Sequence, residues 1–424
     1  MSEWKKVKIG DICKIVKGTT GIASAEPGEY PLVVTAEERK TCSTYQFDCE
    51  AVCIPLVSSS GHGKKSLKNV HYQSGKFALG TILCAVIPNN PQELDARYLH
   101  QYLQFYKDII LVPLMKGAAN VSLSMKDIAT VEFPLPPIER QRELSNLFVS
   151  LQEKQKELSA EYEKQTEYAK LLRQNILQQA IEGKLTSDWH KQNQNEYAKN
   201  DLEANKEKSN SRLEFKYWEN KNLPTGWCES TLGNLFYFAG RIGWKGLKAE
   251  EYKDEGPLFL SVYNLNNGDK VSFEKVHHIT EERYDESPEI MLQNQDILLA
   301  KDGAGIGKVA YIEDLQEKAT INSSLLLIRT GQMANYKFIY YFLLGPTLQK
   351  IVQERISGIA TPHLFQKEIK QFVIPIPPKK EQEEIVKKVE MLLAKITTLE
   401  NQIQERKSLS DKLIFGIIKE NLEG

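Results

Sequence analysis

The chain has no Cys-x-x-Cys pair: its six cysteines (Cys13, Cys42, Cys49, Cys53, Cys84 and Cys228) are scattered, so neither a disulfide framework nor a zinc module is indicated. The thiols read as reduced and buried. Long apolar runs are missing too. No stretch of the 424 residues approaches the roughly 18 uninterrupted apolar positions of a membrane span. The opening MSEWKKVKIGD lacks the apolar core of a secretory signal. A cytoplasmic protein without membrane association is therefore expected. Nor is there a basic block: the net charge is −1, and segment charges run only from +2 over 1–137 to −3 over 227–378. Any contact with nucleic acid must come from local placement of Lys and Arg, not from a global field.

Catalytic constellations are equally absent. The run Gly303-Ala304-Gly305-Ile306-Gly307-Lys308 looks like a phosphate loop, but that motif needs Gly at 302 and Ser or Thr at 309, where Asp302 and Val309 stand. Gly61-His62-Gly63-Lys64-Lys65-Ser66 fails likewise, with Ser58 in place of the first glycine. Cys49 and Cys53 near His62 and His71 lack metal-ligand spacing, and the pair His277-His278 has no obvious companion. No nucleophile elbow, HExxH helix or methyltransferase loop occurs. No catalytic residue, metal or resident cofactor is expected, which points to a binder or scaffold.

What is present is a repeat. The segment GAANVSLSMKDIATVEFPLPPIERQRE at 117–143 returns as GIATPHLFQKEIKQFVIPIPPKKEQEE at 358–384, with 10 of 27 positions identical at an offset of 241. Composition alone would supply roughly one or two. Downstream, an apolar seam runs through Leu144, Phe148, Leu151, Gln155, Leu158, Tyr162, Gln165, Ala169, Leu172 and Ile176. Its partner runs through Ile385, Val389, Leu392, Ile396, Leu399, Ile403, Arg406, Ser410, Leu413 and Ile417. Steps of four and three without a proline predict two coiled-coil helices of about 40 residues, roughly 60 Å long. Upstream, Trp4, Ile9, Gly10 and Ile12 echo in Trp227, Leu232, Gly233 and Leu235 at an offset of 223.

The expected fold class is α+β: a mixed α/β globule at 1–137, a long helix at 138–186, a polar linker at 187–226, a second globule at 227–378 and a distal long helix at 379–424. This plan is a pseudo-twofold internal repeat. Short strand-like runs (IPLV at 54–57, DILLA at 296–300, SLLLI at 324–328) alternate with amphipathic helices at 97–110 and 336–344. Tyr98, Tyr102, Phe105, Phe338, Tyr341 and Phe342 recur at helical spacing and read as core aromatics. The segment 187–226, rich in Asn, Lys and Glu, reads as a linker or a solvated, partly helical insertion. Sequence alone leaves the long helices free to pair parallel or antiparallel. Gln141 and Glu143, with Gln382 and Glu384, sit in first helical turns, where they can support helix starts through the dipole or dock a partner.

PLPPIERQRE at 134–143, PIPPKKEQEE at 375–384 and the helix ending LLRQNILQQAIEGKL at 171–185 resemble the specificity subunit of type I restriction-modification systems. The glycine-bearing loops SSSGHGK and KDGAGIGKVAY are similar to loops of that family's target-recognition domains. The resemblance implies two target-recognition domains joined by two long helices in an antiparallel coiled coil. It also implies double-stranded DNA as ligand, read as an asymmetric bipartite site with a fixed spacer. Two methyltransferase subunits would dock on the helices and restriction subunits would join them. The assembled complex would be an adenine-specific methyltransferase and ATP-dependent endonuclease, with S-adenosylmethionine bound by the partner and no cofactor in this chain. Two other readings stay open: a coiled-coil adaptor whose globules bind protein, and an orphan specificity subunit that directs methylation only.

DNA contacts are expected in polar, glycine-bearing loops, where backbone can approach phosphate and side chains can reach base edges. In the first domain these are Lys17, Thr19, Thr20, Ser59, Ser60, Gly61, His62, Lys64, Lys65, Lys116, Asn120 and Ser122. In the second they are Arg241, Trp244, Lys245, Lys301, Asp302, Gly305, Lys308, Ser357, Thr361 and His363. For any single one of them an exposed turn is the competing reading. Arg241 and Lys245 are the leading guanine or phosphate readers.

Overall fold

A computed structural model describes residues 4–60, 63–206, 216–241, 247, 249–265, 269–358 and 363–423, the side chains of 304, 355–358 and 423 excepted. The chain divides into two compact units: unit 1 is Met1–Glu163 with Ile403–Gly424, and unit 2 is Lys164–Gln402.

In unit 1, β1 (Lys6–Lys8) pairs antiparallel with β10 (Glu132–Pro134). One four-stranded sheet runs in spatial order β2 (Cys13–Lys17), β9 (Leu83–Pro88), β6 (Ala51–Pro55), β7 (His71–Gln73). A second runs β4 (Lys40–Cys42), β3 (Tyr30–Val33), β8 (Lys76–Leu79), β5 (Phe47–Asp48), with β3 and β8 parallel. Strand β6 is buried throughout: Val52 and Ile54 enter one core cluster, Ala51 and Cys53 another. A strand covered on both faces reads as a continuous apolar run and not as an alternation. Helix α1 (Ile9–Ile12) precedes β2, and α2 (Ala96–Ile110) lays Tyr98, Leu99 and Leu103 into the core. The Asp95 carboxylate caps α2, accepting from the backbone N–H of Arg97 at 2.8 Å and of Tyr98 at 3.1 Å. Helix α3 (Met125–Ala129) leads into β10.

Unit 2 repeats this plan. Strands β11 (Cys228–Thr231) and β19 (Val373–Ile376) pair antiparallel. One sheet runs β12 (Tyr237–Ala239), β18 (Leu325–Arg329), β15 (Ile297–Ala300), β16 (Val309–Tyr311). Another runs β14 (His277–His278), β13 (Lys253–Leu260), β17 (Ala319–Ile321), with β13 and β17 parallel. Even the register matches: Lys6 faces Pro134 as Glu229 faces Pro375, and Lys8 faces Glu132 as Thr231 faces Val373. The first member of each pair shifts by one sequence offset and the second by the other, so both offsets are structural. Helix α9 (Tyr336–Leu344) buries Phe338, Tyr341 and Phe342 as expected, and α10 (Pro346–Gly358) follows it.

The long helices are α4 (Ile138–Ile181) and α12 (Lys379–Glu423). Their pairing is antiparallel. In unit 1, Arg140 Nη2 donates to Asn421 Oδ1 at 3.0 Å and Gln155 Nε2 to Asp411 Oδ1 at 3.0 Å. In unit 2, Arg173 grips the Glu400 carboxylate at 3.1 and 2.7 Å, and Lys388 Nζ donates to Leu185 O at 3.0 Å. The heptad seam needs one correction: Leu172, Leu399 and Leu413 are exposed, while Ile414 is buried and Ile418 and Leu422 pack into the unit 1 core. An α-helix has 3.6 residues per turn, so a strict 3.5 repeat drifts off the contact line.

The expected role of Gln141 and Gln382 also needs correction, because both are buried and neither acts through the dipole. Gln141 Nε2 donates to Pro136 O at 2.8 Å and Glu93 O at 2.9 Å, while its Oε1 accepts from Asp95 N–H at 2.8 Å. Gln382 Nε2 donates to Pro377 O at 2.9 Å, and its Oε1 accepts from Asn335 N–H at 2.8 Å. Asp95 and Asn335 are the N-caps of α2 and α9. One glutamine in each copy therefore ties the start of the long helix to the proline loop and to the helix behind it.

The polar segment after α4 is less solvated than its composition suggests. Gly183 (φ +71°) ends α4 in a left-handed turn, where a Cβ would meet the Trp227 ring at 3.0 Å. Helices α5 (Ser187–Gln192) and α6 (Ala198–Asn205) follow, and Ala198 and Leu202 are buried in the unit 2 core. Two aliphatic side chains four apart suffice to seat a short helix. Glu381, fully buried, accepts from Thr186 Oγ1 and Trp227 Nε1, each at 2.8 Å. The short helices α7 (Leu232–Leu235), α8 (Glu281–Asp285) and α11 (Gln366–Lys370) complete unit 2.

Candidate nucleic-acid interface

In unit 1 two loops leave the same end of one sheet and a third lies against them. Strands β2 and β6 both run antiparallel to β9, so their C-terminal ends, Lys17 and Pro55, meet the start of β9 at Cys84 and Leu83. After β2, Gly18 passes so close to Gly80 that a Cβ would lie 2.2 Å from its carbonyl oxygen, which only glycine allows. Gln46 then fastens the loop, its Nε2 donating to Lys17 O at 2.9 Å and its Oε1 accepting from Thr19 N–H at 3.0 Å. Thr20 bridges to Gly80.

The loop after β6 is held by serines. Ser58 Oγ donates to Lys64 O at 2.5 Å and accepts from Ser66 N–H at 3.2 Å. Ser60 and Ser66 hydroxyls lie 2.7 Å apart, and Ser59 Oγ accepts from Lys68 N–H at 2.9 Å. These bonds leave the Lys64 and Lys65 side chains exposed. The 116–122 loop lies alongside: Ser122 bridges both Val57 and Lys116, and a Cβ on Gly63 would come within 2.3 Å of Ala118 O. Asn120 is exposed. Lys116 Nζ reaches Asp127 Oδ1 at 3.1 Å, and the Ser124 hydroxyl and Lys116 together hold that carboxyl below the usual carboxylate range.

Unit 2 builds the same junction. Ala300 ends β15 opposite Leu325, the start of β18, and Ala239 ends β12 opposite Leu327 of the same strand. Leu364 N–H donates to Lys301 O at 2.9 Å, as Leu123 N–H donates to Leu56 O at 2.9 Å in unit 1. Asp302 bridges His363 just as Val57 bridges Ser122. Here the side chains are ionisable: Asp302 bonds His363 Nδ1 through one carboxylate oxygen, and Lys301 Nζ lies 3.1 Å from the other. The structure thus brings Lys301, Asp302 and His363 together, with Lys308 exposed at the far end of the loop.

Two expected contacts sit elsewhere. Arg241 is no exposed loop cation: it is 4 % exposed, its Nε donates to Ile321 O at 2.9 Å, and its guanidinium lies over the Phe259 ring. Burial and the nearby Arg283 pull its pKa down. It anchors the chain after β12 onto β17. Gly305 is buried too, and a Cβ there would strike Val262 at 2.2 Å, so this glycine serves packing within the domain. Gly61, His62, Trp244, Lys245 and Thr361 lie outside the described residues, and Ser357 is described only as part of the last turn of α10.

Sequence reasoning missed Gln46, Ser58 and Ser66, which shape the loops, and Phe365, which is 53 % exposed next to His363. Only Phe365 left a readable signal: the repeat aligns it with Ser124, a phenylalanine where the other copy has a capping serine.

The type I restriction enzyme EcoDI specificity subunit of Escherichia coli is 23 % identical over 431 aligned positions, covering 100 % of this chain and 88 % of that one. The MjaVIII specificity subunit of Methanocaldococcus jannaschii is 22 % identical over 436 positions, covering 98 % and 93 %. Among solved structures, the HsdS subunit from Thermoanaerobacter tengcongensis gives a TM-score of 0.56 at 16 % identity, covering 99 % of this chain and 97 % of that one. A chain from a structure on complex assembly and conformational transition of the type I R-M system gives 0.69 at 16 % identity, covering 99 % and 98 %. At such identity the structural likeness is one of fold. The family described as "Type I restriction modification DNA specificity domain" matches residues 1–182 and 224–406, one copy on each repeat. The chain belongs to this type I restriction-modification DNA specificity family.

Proposed function

We propose that the chain is the DNA-specificity subunit of a type I restriction-modification complex and reads a bipartite, asymmetric site, one half with each unit. The observation that carries this reading is the duplicated loop junction. In both units the chain leaving β6 or β15 is tied by equivalent backbone bonds to the segment just before α3 or α11, while the side chains at that junction differ. A shared frame with divergent loops suits the reading of two different short sequences. Lys17, Thr19, Thr20, Ser59, Ser60, Lys64, Lys65, Lys116, Asn120 and Ser122 would face one half-site; Lys301, Asp302, Lys308 and His363 would face the other.

Two methyltransferase subunits would dock on the long helices. In support, Tyr168, Leu171, Leu172, Met391 and Leu399 are exposed on the helix pair of unit 2, and Val149, Leu409 and Leu413 on that of unit 1. Helix faces meant only for water do not carry so many large apolar side chains. Restriction subunits would complete the nuclease. Methyl donor and ATP would bind those partners, and this chain would supply no catalytic group. Sequencing the methylome of cells that express the chain with its methyltransferase tests the proposal. A methylated site split into two half-sites by a spacer of fixed length is expected. A single contiguous motif, or no new methylation, would overturn it.

A further inference from the structure

Phe365 carries two local disadvantages at once. It is a large apolar side chain left 53 % exposed, so it gains little from burial. It also occupies the N-cap of α11 without making a capping hydrogen bond. The equivalent residue in unit 1, Ser124, caps α3 by accepting from Asp127 N–H at 3.0 Å. A serine at position 365 would therefore relieve both disadvantages. A residue that breaks two local rules, in a chain whose other copy keeps them, is held for a contact outside its own domain.

The surroundings fix where that contact lies. The Phe365 ring packs edge-on against His363, centroids 4.4 Å apart and planes at 70°. His363 is in turn bonded to Asp302, whose other oxygen is paired with Lys301. The ring thus stands, preorganised, beside the polar groups of the unit 2 loop junction. Among the base edges displayed in the major groove, only thymine offers an apolar group, its C5-methyl, and phenylalanine is one of the side chains suited to it. We infer that Phe365 is a specificity-determining residue that contacts a thymine methyl in the half-site read by unit 2. This rests on the DNA-reading function proposed above.

The test uses the full chain in complex with its methyltransferase and a duplex carrying the site found in the methylome. Each thymine of both half-sites is replaced in turn by deoxyuridine, which removes only the methyl group. One position, in one half-site, should weaken binding about fourfold, the weight of one methyl returned to water. Phe365→Ser should bind the thymine and deoxyuridine duplexes equally at that position and keep every other preference. Because this substitution restores a cap, its melting temperature should equal or exceed that of the parent, which separates lost reading from lost folding. Phe365→Leu should retain part of the discrimination. The assignment is overturned by the absence of any deoxyuridine-sensitive position, or by one that persists in Phe365→Ser. A loss in Phe365→Ser spread evenly over all sequences would indicate a wedge or backbone contact and overturn it as well. Failure of the parent complex to bind the site would instead overturn the DNA-reading function, and this contact with it.

Discussion

His71 is 5 % exposed, and Arg39 Nη1 lies 3.1 Å from its Nδ1. Burial first, then the charge of Arg39, pushes its pKa down to about 4. In the unfolded chain the same imidazole titrates near 6.5. Between those values the unfolded state binds a proton that the folded state refuses. Its contribution is therefore complete above about pH 6.5 and is lost as the pH falls toward 4. Thermal melts across this window should show the parent losing on the order of 2 kcal/mol more than His71→Asn. Parallel profiles would refute the cause assigned here. Such behaviour is not legible in the sequence, where His71 was one histidine near two cysteines. Residue-scale reading worked where the repeat supplied a second copy: Gln141 and Gln382 stand out by identity, although their buried ties needed coordinates. It failed at Arg241 and Gly305, whose neighbours Ile321 and Val262 are brought to them by the sheets and not by the adjacent chain.

Elements were the most legible scale, because periodicity is local. The expected helix at 336–344 coincides with α9, and the one at 97–110 starts a residue late on α2. Both long helices occur close to the expected ranges. What stayed hidden is capping across the chain. The Asp201 carboxylate on α6 accepts from Lys379 N–H at 2.7 Å and so caps α12 from a segment that composition marks as solvated. Lys380 Nζ adds an exposed pair with Glu196 at 2.6 Å. A cap acceptor is worth about 1 kcal/mol, and an exposed ion pair contributes much less. Asp201→Ala should therefore destabilise the chain by about 1 kcal/mol in urea titration, while Lys380→Ala leaves the midpoint almost in place. Equal effects of the two would mean that the segment from Glu196 to α6 is held to α12 as much by charge as by the cap.

For the whole molecule, the net charge of −1 supplies no general attraction to nucleic acid, so any grip must come from cations placed locally. The loops refine that argument. Lys116 is paired with Asp127 and Lys301 with Asp302, so two of the cations at the proposed interface are already offset by acids of the same unit. Each phosphate neutralised steepens the fall of log binding constant with log salt by about 0.9. Such pairing lowers the number of phosphates the isolated chain can neutralise, so a shallow dependence and weak affinity are expected of it. On the function proposed above, partners would add backbone grip within the complex while this chain keeps the reading. Titrating the cognate duplex against salt should then give a slope of only a few units for the isolated chain and a distinctly steeper one with methyltransferase bound. The preference for the cognate site over a scrambled duplex should survive in both. Equal slopes would show that this chain holds the DNA backbone unaided, and the division between gripping and reading would have to be abandoned.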